Sequence, residues 1–181
     1  MQKKMALFLD RDGTLIEDAH YLKDPEKLKI IPSAGPSLHK AKNAGFFLFM
    51  HTNQSGIARG YYEWTDVHAC NAKMYNEFGW SVDFFVEVCI APESPQEKGG
   101  FRKPSPRFER EMTEKYNLAP SQCWVIGDKW IDPQTALACG MQGALVRTGK
   151  PIDQSLEKKA ADHQVGIFDD LAQFVGEELN L

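Results

Sequence analysis

Five short runs of apolar residues punctuate the chain, at residues 5–9, 46–51, 84–90, 124–126 and 144–146. Within each run hydrophobic side chains follow one another rather than alternate with polar ones, as in strands covered on both faces. The stretches between them have helical character. Residues 33–44 end against Gly45, a good C-terminal stop. Thr65 is placed to cap a helix running to about residue 78, and Ser105-Pro106 sets a cap residue ahead of a first-turn proline, opening a helix to about Tyr116. Pro133 opens another that stops near Gly140, and Asp169 or Asp170 caps the last. Strands alternating with helices predict an α/β protein, a three-layer, doubly wound, mostly parallel sheet with right-handed crossovers.

Composition narrows this picture only a little. A length of 181 residues predicts one domain, residues 1–181, large enough for a core without staples. The net charge of -4 argues against a general nucleic-acid or membrane surface but says nothing against a small anionic substrate. The four cysteines lie far apart with no C-x-x-C pair, so reduced thiols and a cytoplasmic setting are expected. The apolar stretch 5–9 is too short for a signal-peptide core or a membrane span. A monomer or weak homodimer is expected. Residues 92–103 form the one long irregular stretch, and loops of that size are usually functional or mobile.

In open α/β sheets ligands bind beyond the carboxyl ends of the strands, so the residues after each apolar run are the informative ones. The first run ends in Asp10 and Asp12, with Gly13 positioned to turn the chain sharply behind them. The second leads into Thr52, Asn53, Gln54 and Ser55. The loop after the third carries Arg102 and Lys103. The fourth leads into Asp128 and Lys129, with Asp132 close by. Asp10, Asp12 and Asp128 crowded together would repel one another, and a hard divalent cation such as Mg²⁺ relieves that. Thr52, Arg102 and Lys103 do nothing for a metal but suit a phosphoryl group.

The chemistry this collection supports is covalent phosphoryl transfer. Asp10 attacks phosphorus to form an aspartyl-phosphate. Asp12 gives a proton to the departing oxygen and takes one from the water that hydrolyses the intermediate. Mg²⁺ is held by Asp10, Asp12 through its main-chain carbonyl, and Asp128. Thr52 and Lys103 hold the equatorial oxygens.

Taken singly, each piece has a bland reading: a D-x-D-G-T turn, a T-N-Q turn, a solvated Arg-Lys pair, a common G-D dipeptide. Their joint occurrence, in order and at strand ends, argues for catalysis. Arg147-Thr148-Gly149-Lys150 hints at a phosphate loop, but the spacing from Gly143 is one residue too long and Pro151 stands where Ser or Thr belongs. Lys150 is still placed near the site. A phospho-acceptor signalling domain uses similar groups, yet needs an acceptor after the third run, where Ala91-Pro92 stands. A polynucleotide phosphatase would need a basic stripe that the chain lacks.

LDRDGTL, TNQSGIARG, RKP and GDK resemble the four motifs of the haloacid dehalogenase-like phosphatases, a resemblance that runs over nearly the whole chain. TNQSGIARG (52–60), GDKWID (127–132) and LVRTGKP (145–151) resemble a subgroup that acts on phosphorylated small molecules. Within it the histidinol-phosphate enzymes tend to carry an acidic residue at the position of Ser55. The resemblance implies a phosphorylated sugar as partner, Asp10 as nucleophile and Asp12 as general acid/base. It implies phosphoryl contacts from Thr52 and Lys103, and a Mg²⁺ site completed by Asp128. Substrate contacts are implied for Asp18, His20, Tyr21, Asn53, Gln54, Ser55, Arg102 and Lys129.

The family usually carries a zinc on the loop before R-K, held by Cys-x-His and Cys-x-Cys. Here Cys89 remains, but Ala91, Gly99 and Phe101 fall at the other positions. One thiolate cannot make a structural site, which needs four ligands. No zinc is expected, and residues 92–101 must be ordered by their own packing, with Phe101 turned inward, or stay mobile until substrate binds. The motifs lie about 40 to 50 residues apart, too close for an inserted cap domain. His39, His68 and His163 are expected at the surface, and His51 as a strand residue.

Overall fold

A computed structural model describes residues 3–181. Six strands form a single sheet in the order β3-β2-β1-β4-β5-β6. They are β1 (Lys4–Leu9), β2 (Phe47–Asn53), β3 (Glu87–Ala91), β4 (Leu118–Gly127), β5 (Gln142–Val146) and β6 (Gly166–Phe168). Every pairing is parallel. Five α-helices connect them, α1 (Ala34–Asn43), α2 (Trp64–Phe78), α3 (Arg107–Tyr116), α4 (Ile131–Ala138) and α5 (Gln154–Asp162), and the short α6 (Leu171–Gln173) follows β6. This is the doubly wound α/β architecture expected. Between β1 and β2, and between β2 and β3, the chain holds one α-helix each, with no inserted module.

The two-residue repeat of the strands sorts the core. Leu7, Leu9, Leu48 and Met50 face α1, α2 and α6 through Leu38, Met74 and Leu171. Ala6, Phe8 and Phe49 face the other layer, where Phe108 and Met112 of α3 and Ala136 of α4 cover them. Phe8 stacks on Phe49 with ring centroids 4.7 Å apart, and Phe108 meets Phe8 edge-on at 5.8 Å. Ala6 to Leu9 are fully buried, which explains the unbroken apolar reading of β1.

Several boundaries differ from the expectation. The strand expected over residues 84–90 begins only at Glu87; Phe84 and Phe85 sit in the preceding turn, where Phe84 stacks on Trp80 at 4.1 Å. Their hydrophobicity serves side-chain packing rather than the ladder. Helix α2 is capped at Glu63 rather than Thr65, because the Asp66 carboxylate accepts from the Glu63 amide at 2.8 Å. Helix α4 starts at Ile131, two residues before Pro133. Helix α5 and strand β6 lie outside the expected elements. Among the described residues no helix is long and apolar enough to cross a membrane.

Candidate active site

The strand order reverses direction between β1 and β4. From β1 the chain winds outward through β2 and β3, then returns to the other side of β1 for β4, β5 and β6. A crevice opens at the carboxyl ends of strands flanking such a switch point. Asp10 follows β1 there, its amide still donating to the Ile126 carbonyl of β4 at 2.9 Å, and Asp128 follows β4. Oxygens of Asp10, Asp128 and the buried Asp132 at the start of α4 lie within 4.8 Å of one another. Gly13 turns the chain behind them with φ +87°, and a Cβ there would stand 2.5 Å from an Asp128 oxygen. Gly149, after β5, approaches equally closely; its Cβ would meet the same oxygen at 2.2 Å. The main chain is thus packed against Asp128 from two sides.

Three buried carboxylates side by side need compensation, and one buried lysine supplies part of it. Lys103 Nζ lies 3.0 Å from Asp10 Oδ1 and 2.6 Å from Asp132 Oδ1. Burial works against its charge, but Asp10 and Asp132 outweigh that and raise its pKa. The balance is incomplete at Asp128. Burial first, and the neighbouring Asp10 second, push its carboxyl up to about 6. Asp132 is raised as well, by burial against the pull of Lys103. An all-oxygen set in which the charge of Asp10 helps raise the pKa of both Asp128 and Asp132 is a set that a hard divalent cation fits.

Asp12 is held apart from this cluster. Its carboxylate accepts from Arg11 Nε at 3.0 Å, from Gln54 Nε2 at 2.9 Å and from Thr52 Oγ1 at 3.4 Å. Arg11 is itself fully buried; burial opposes its charge, but Asp12 prevails, and its Nη1 donates to Asn71 Oδ1 at 2.8 Å. Tyr62 closes the network by donating to Gln54 Oε1 at 2.7 Å.

Above these groups lies a cavity of about 310 Å³. Its rim carries Asp18, whose carboxylate pairs with Lys150 Nζ at 2.9 Å and Lys129 Nζ at 3.6 Å. Lys129 also reaches Asp128 at 3.1 Å. His20 and Tyr21 adopt positive φ values of 42° and 60° in succession, a backbone strain that clusters at functional sites. Tyr21 and Tyr62, with ring centroids 6.3 Å apart, give the cavity an aromatic wall, and Tyr61 packs edge-on against Tyr21 at 4.8 Å.

Residues 100–174 match the family model described as "HAD-hyrolase-like". Over 175 residues the chain is 37% identical to D-glycero-beta-D-manno-heptose-1,7-bisphosphate 7-phosphatase of Pseudomonas putida, across 94% of this chain and 97% of that protein. The chain belongs to the haloacid dehalogenase-like phosphatases. The Pseudomonas aeruginosa enzyme of the same name is 35% identical over 170 residues, covering 92% of this chain and 93% of that one. The crystal structure of a D,D-heptose 1.7-bisphosphate phosphatase from B. bronchiseptica, complexed with magnesium and phosphate, has a TM-score of 0.81 at 26% identity and covers 98% of both chains.

Against the motifs of the haloacid dehalogenase-like phosphatases, the geometry brings the sequence candidates to one place. Asp10, Asp12, Asp18, His20, Tyr21, Asn53, Gln54, Ser55, Arg102, Lys103 and Lys129 line the cavity, while Thr52 and Asp128 lie buried behind Asp12 and Asp10. Asn53 spends its amide on the main chain of Lys103, accepting from its N–H at 2.9 Å and donating to its carbonyl at 3.1 Å. Arg11, Tyr62 and Asn71 escaped the sequence reading, and no local signal marks them. The segment Arg147–Lys150, set aside as a phosphate loop, has a different task. Thr148 donates to the Gly13 carbonyl at 2.7 Å and the Lys150 amide donates to Asp128 at 2.9 Å. His51 is a fully buried strand residue, and His39, His68 and His163 are exposed. Phe101 is turned inward against Phe108 and Met112.

Proposed function

We propose that the chain hydrolyses the 7-phosphate of D-glycero-D-manno-heptose 1,7-bisphosphate with Mg²⁺ as cofactor. The observation that carries the phosphatase chemistry is the buried lysine between two aspartates: Lys103 Nζ within 3.0 Å of Asp10 and 2.6 Å of Asp132, beside Asp128 at the switch point. The heptose assignment is supported by the names of the Pseudomonas relatives. At the mouth of the cavity, burial first and the nearby Arg59 second lower the pKa of Arg102.

Asp10 Oδ attacks phosphorus in line as the sugar oxygen leaves with a proton from Asp12. Water then attacks the aspartyl-phosphate, Asp12 takes its proton, and phosphate departs with Asp10 restored. Lys103 holds Asp10 in place and offers charge to the transferring group, while Arg11 and Gln54 fix the orientation of Asp12. Asp10 and Asp128, with the main-chain carbonyl of Asp12, would hold Mg²⁺, which when bound supplies positive charge to the phosphoryl oxygens.

No zinc enters this reading. The Cys89 thiol is pushed up to about 12, by burial first and Glu109 second, and Ala91, Gly99 and Phe101 offer no ligand side chains.

The test is phosphate release from a panel of heptose 1,7-bisphosphate, histidinol phosphate and a 3′-phosphorylated oligonucleotide, each with Mg²⁺ and with EDTA. Turnover should be fastest on the heptose bisphosphate and vanish with EDTA. Asp10→Asn should abolish it, with residual rates down by on the order of 10⁴ or more. Faster turnover of histidinol phosphate would overturn the substrate, and wild-type rates in Asp10→Asn would overturn the mechanism.

A further inference from the structure

Beneath the loop that delivers Arg102 and Lys103 lies a polar pair with no part in the chemistry above. His51 of β2 and Glu109 of α3 are both fully buried, and His51 Nδ1 lies 2.7 Å from Glu109 Oε1. The other ring nitrogen, Nε2, lies 2.8 Å from the main-chain oxygen of Phe101. A carbonyl can only accept, so Nε2 carries a hydrogen. The second proton is then shared between Nδ1 and Glu109, and the pair reaches the loop as a donor. Glu109 Oε2 has no hydrogen-bond partner among the described residues.

That orphan oxygen bears on why the pair exists. A buried acid with one unpaired oxygen is a poor source of stability, and apolar residues of similar volume are often as good or better. The surroundings are apolar already: the ring of Phe108 stands 5.2 Å from His51, among Phe49 and Met112. What the pair adds is a fixed point for Phe101. Along β2, His51 and Asn53 lie two residues apart and so share a face. His51 holds the carbonyl of Phe101, and Asn53 holds both main-chain groups of Lys103. Arg102 is thereby gripped from either side.

We propose that His51 and Glu109 are positioning residues for phosphoryl transfer, clamping residues 101–103 in a loop that has no ligand set for a structural metal. This rests on the reading that Lys103 and Arg102 serve the phosphoryl group and the substrate.

The experiment compares H51V/E109L with E109Q. In E109Q the amide donates to Nδ1 and Nε2–H still reaches Phe101, so the clamp survives. In the double variant it is gone and the pocket is apolar. Amide hydrogen exchange at Phe101 and Lys103, read without substrate, should be at least about tenfold faster in H51V/E109L at unchanged thermal midpoint, and near wild type in E109Q. On heptose 1,7-bisphosphate with Mg²⁺, kcat of the double variant should fall roughly 10- to 100-fold, while E109Q stays within about threefold. Wild-type exchange or wild-type kcat in H51V/E109L overturns the proposal, as does an E109Q as impaired as the double variant. If wild type itself fails to turn over that substrate, the substrate reading fails, and the exchange comparison still decides the clamp.

Discussion

Asp128 is a buried carboxylate whose protein partners do not fully offset the cost of its charge. Its carboxyl is buried beside Asp10, and its pKa stands near about 6 rather than in the ordinary carboxylate range. Between roughly pH 4 and 6 the folded chain binds a proton that the unfolded chain releases, so this group's contribution to stability falls as pH rises through that window. Above the window the full penalty applies, on the order of 3 kcal/mol. In EDTA, the urea stability of Asp128→Asn relative to wild type should therefore rise between pH 4 and 7. At pH 7.5, Mg²⁺ should raise the thermal midpoint of wild type and do little for Asp128→Asn. A difference between the two proteins that stays flat with pH would show that Asp128 ionises freely in the folded chain.

At the scale of elements, β2 is the strand on which the site is assembled. Its alternation sends Thr52 toward Asp12 on one side, and His51 and Asn53 toward the loop before α3 on the other. Asn53→Ala removes two bonds to Lys103 without touching a reacting atom. kcat/KM is expected to drop by about tenfold, with urea stability lower by about 1–2 kcal/mol. Unchanged steady-state kinetics would place the hold on Lys103 elsewhere. Strand ends were the legible part of this fold. Continuous apolar runs stopping at polar residues mark both the sheet and its active edge, and Asp10 and Asp128 declare themselves that way, while Lys103 is legible only from the long loop after the third run. The illegible parts share a cause. Helix α5 buries only Ala160, and β6 is three residues long, so neither writes a periodicity into the sequence. Arg11 sits between two aspartates like a solvated cation, and its burial depends on Asn71, sixty residues away. The apolar Phe84 and Phe85 read as strand because packing on Trp80 leaves the same trace as pairing in a sheet.

At the scale of the molecule, the return from the edge strand β3 to the centre at β4 is the connection that matters most. It carries the chain back across the face of β2 and β1, where Phe108 packs on Phe8 and Phe49. Lys103 reaches the switch point because it lies on that return. Strand β1, bonded on both sides and buried from Ala6 to Leu9, should have the slowest amide exchange, at a rate set by global unfolding. The outermost β6 should exchange by local opening, orders of magnitude faster. Equal protection in the two strands would mean that the sheet opens as one unit.

The same return holds a neck. The Glu93 carboxylate accepts from the Phe101 amide at 2.8 Å, and Ser105 Oγ donates to the Gly100 carbonyl at 3.0 Å. Residues 95–99 hang outside that closure in solvent. Lengthening such a tip costs little chain entropy, because the ends are already joined. Descendants of this sequence can therefore lengthen or trim that tip while the lysine beneath stays where it is.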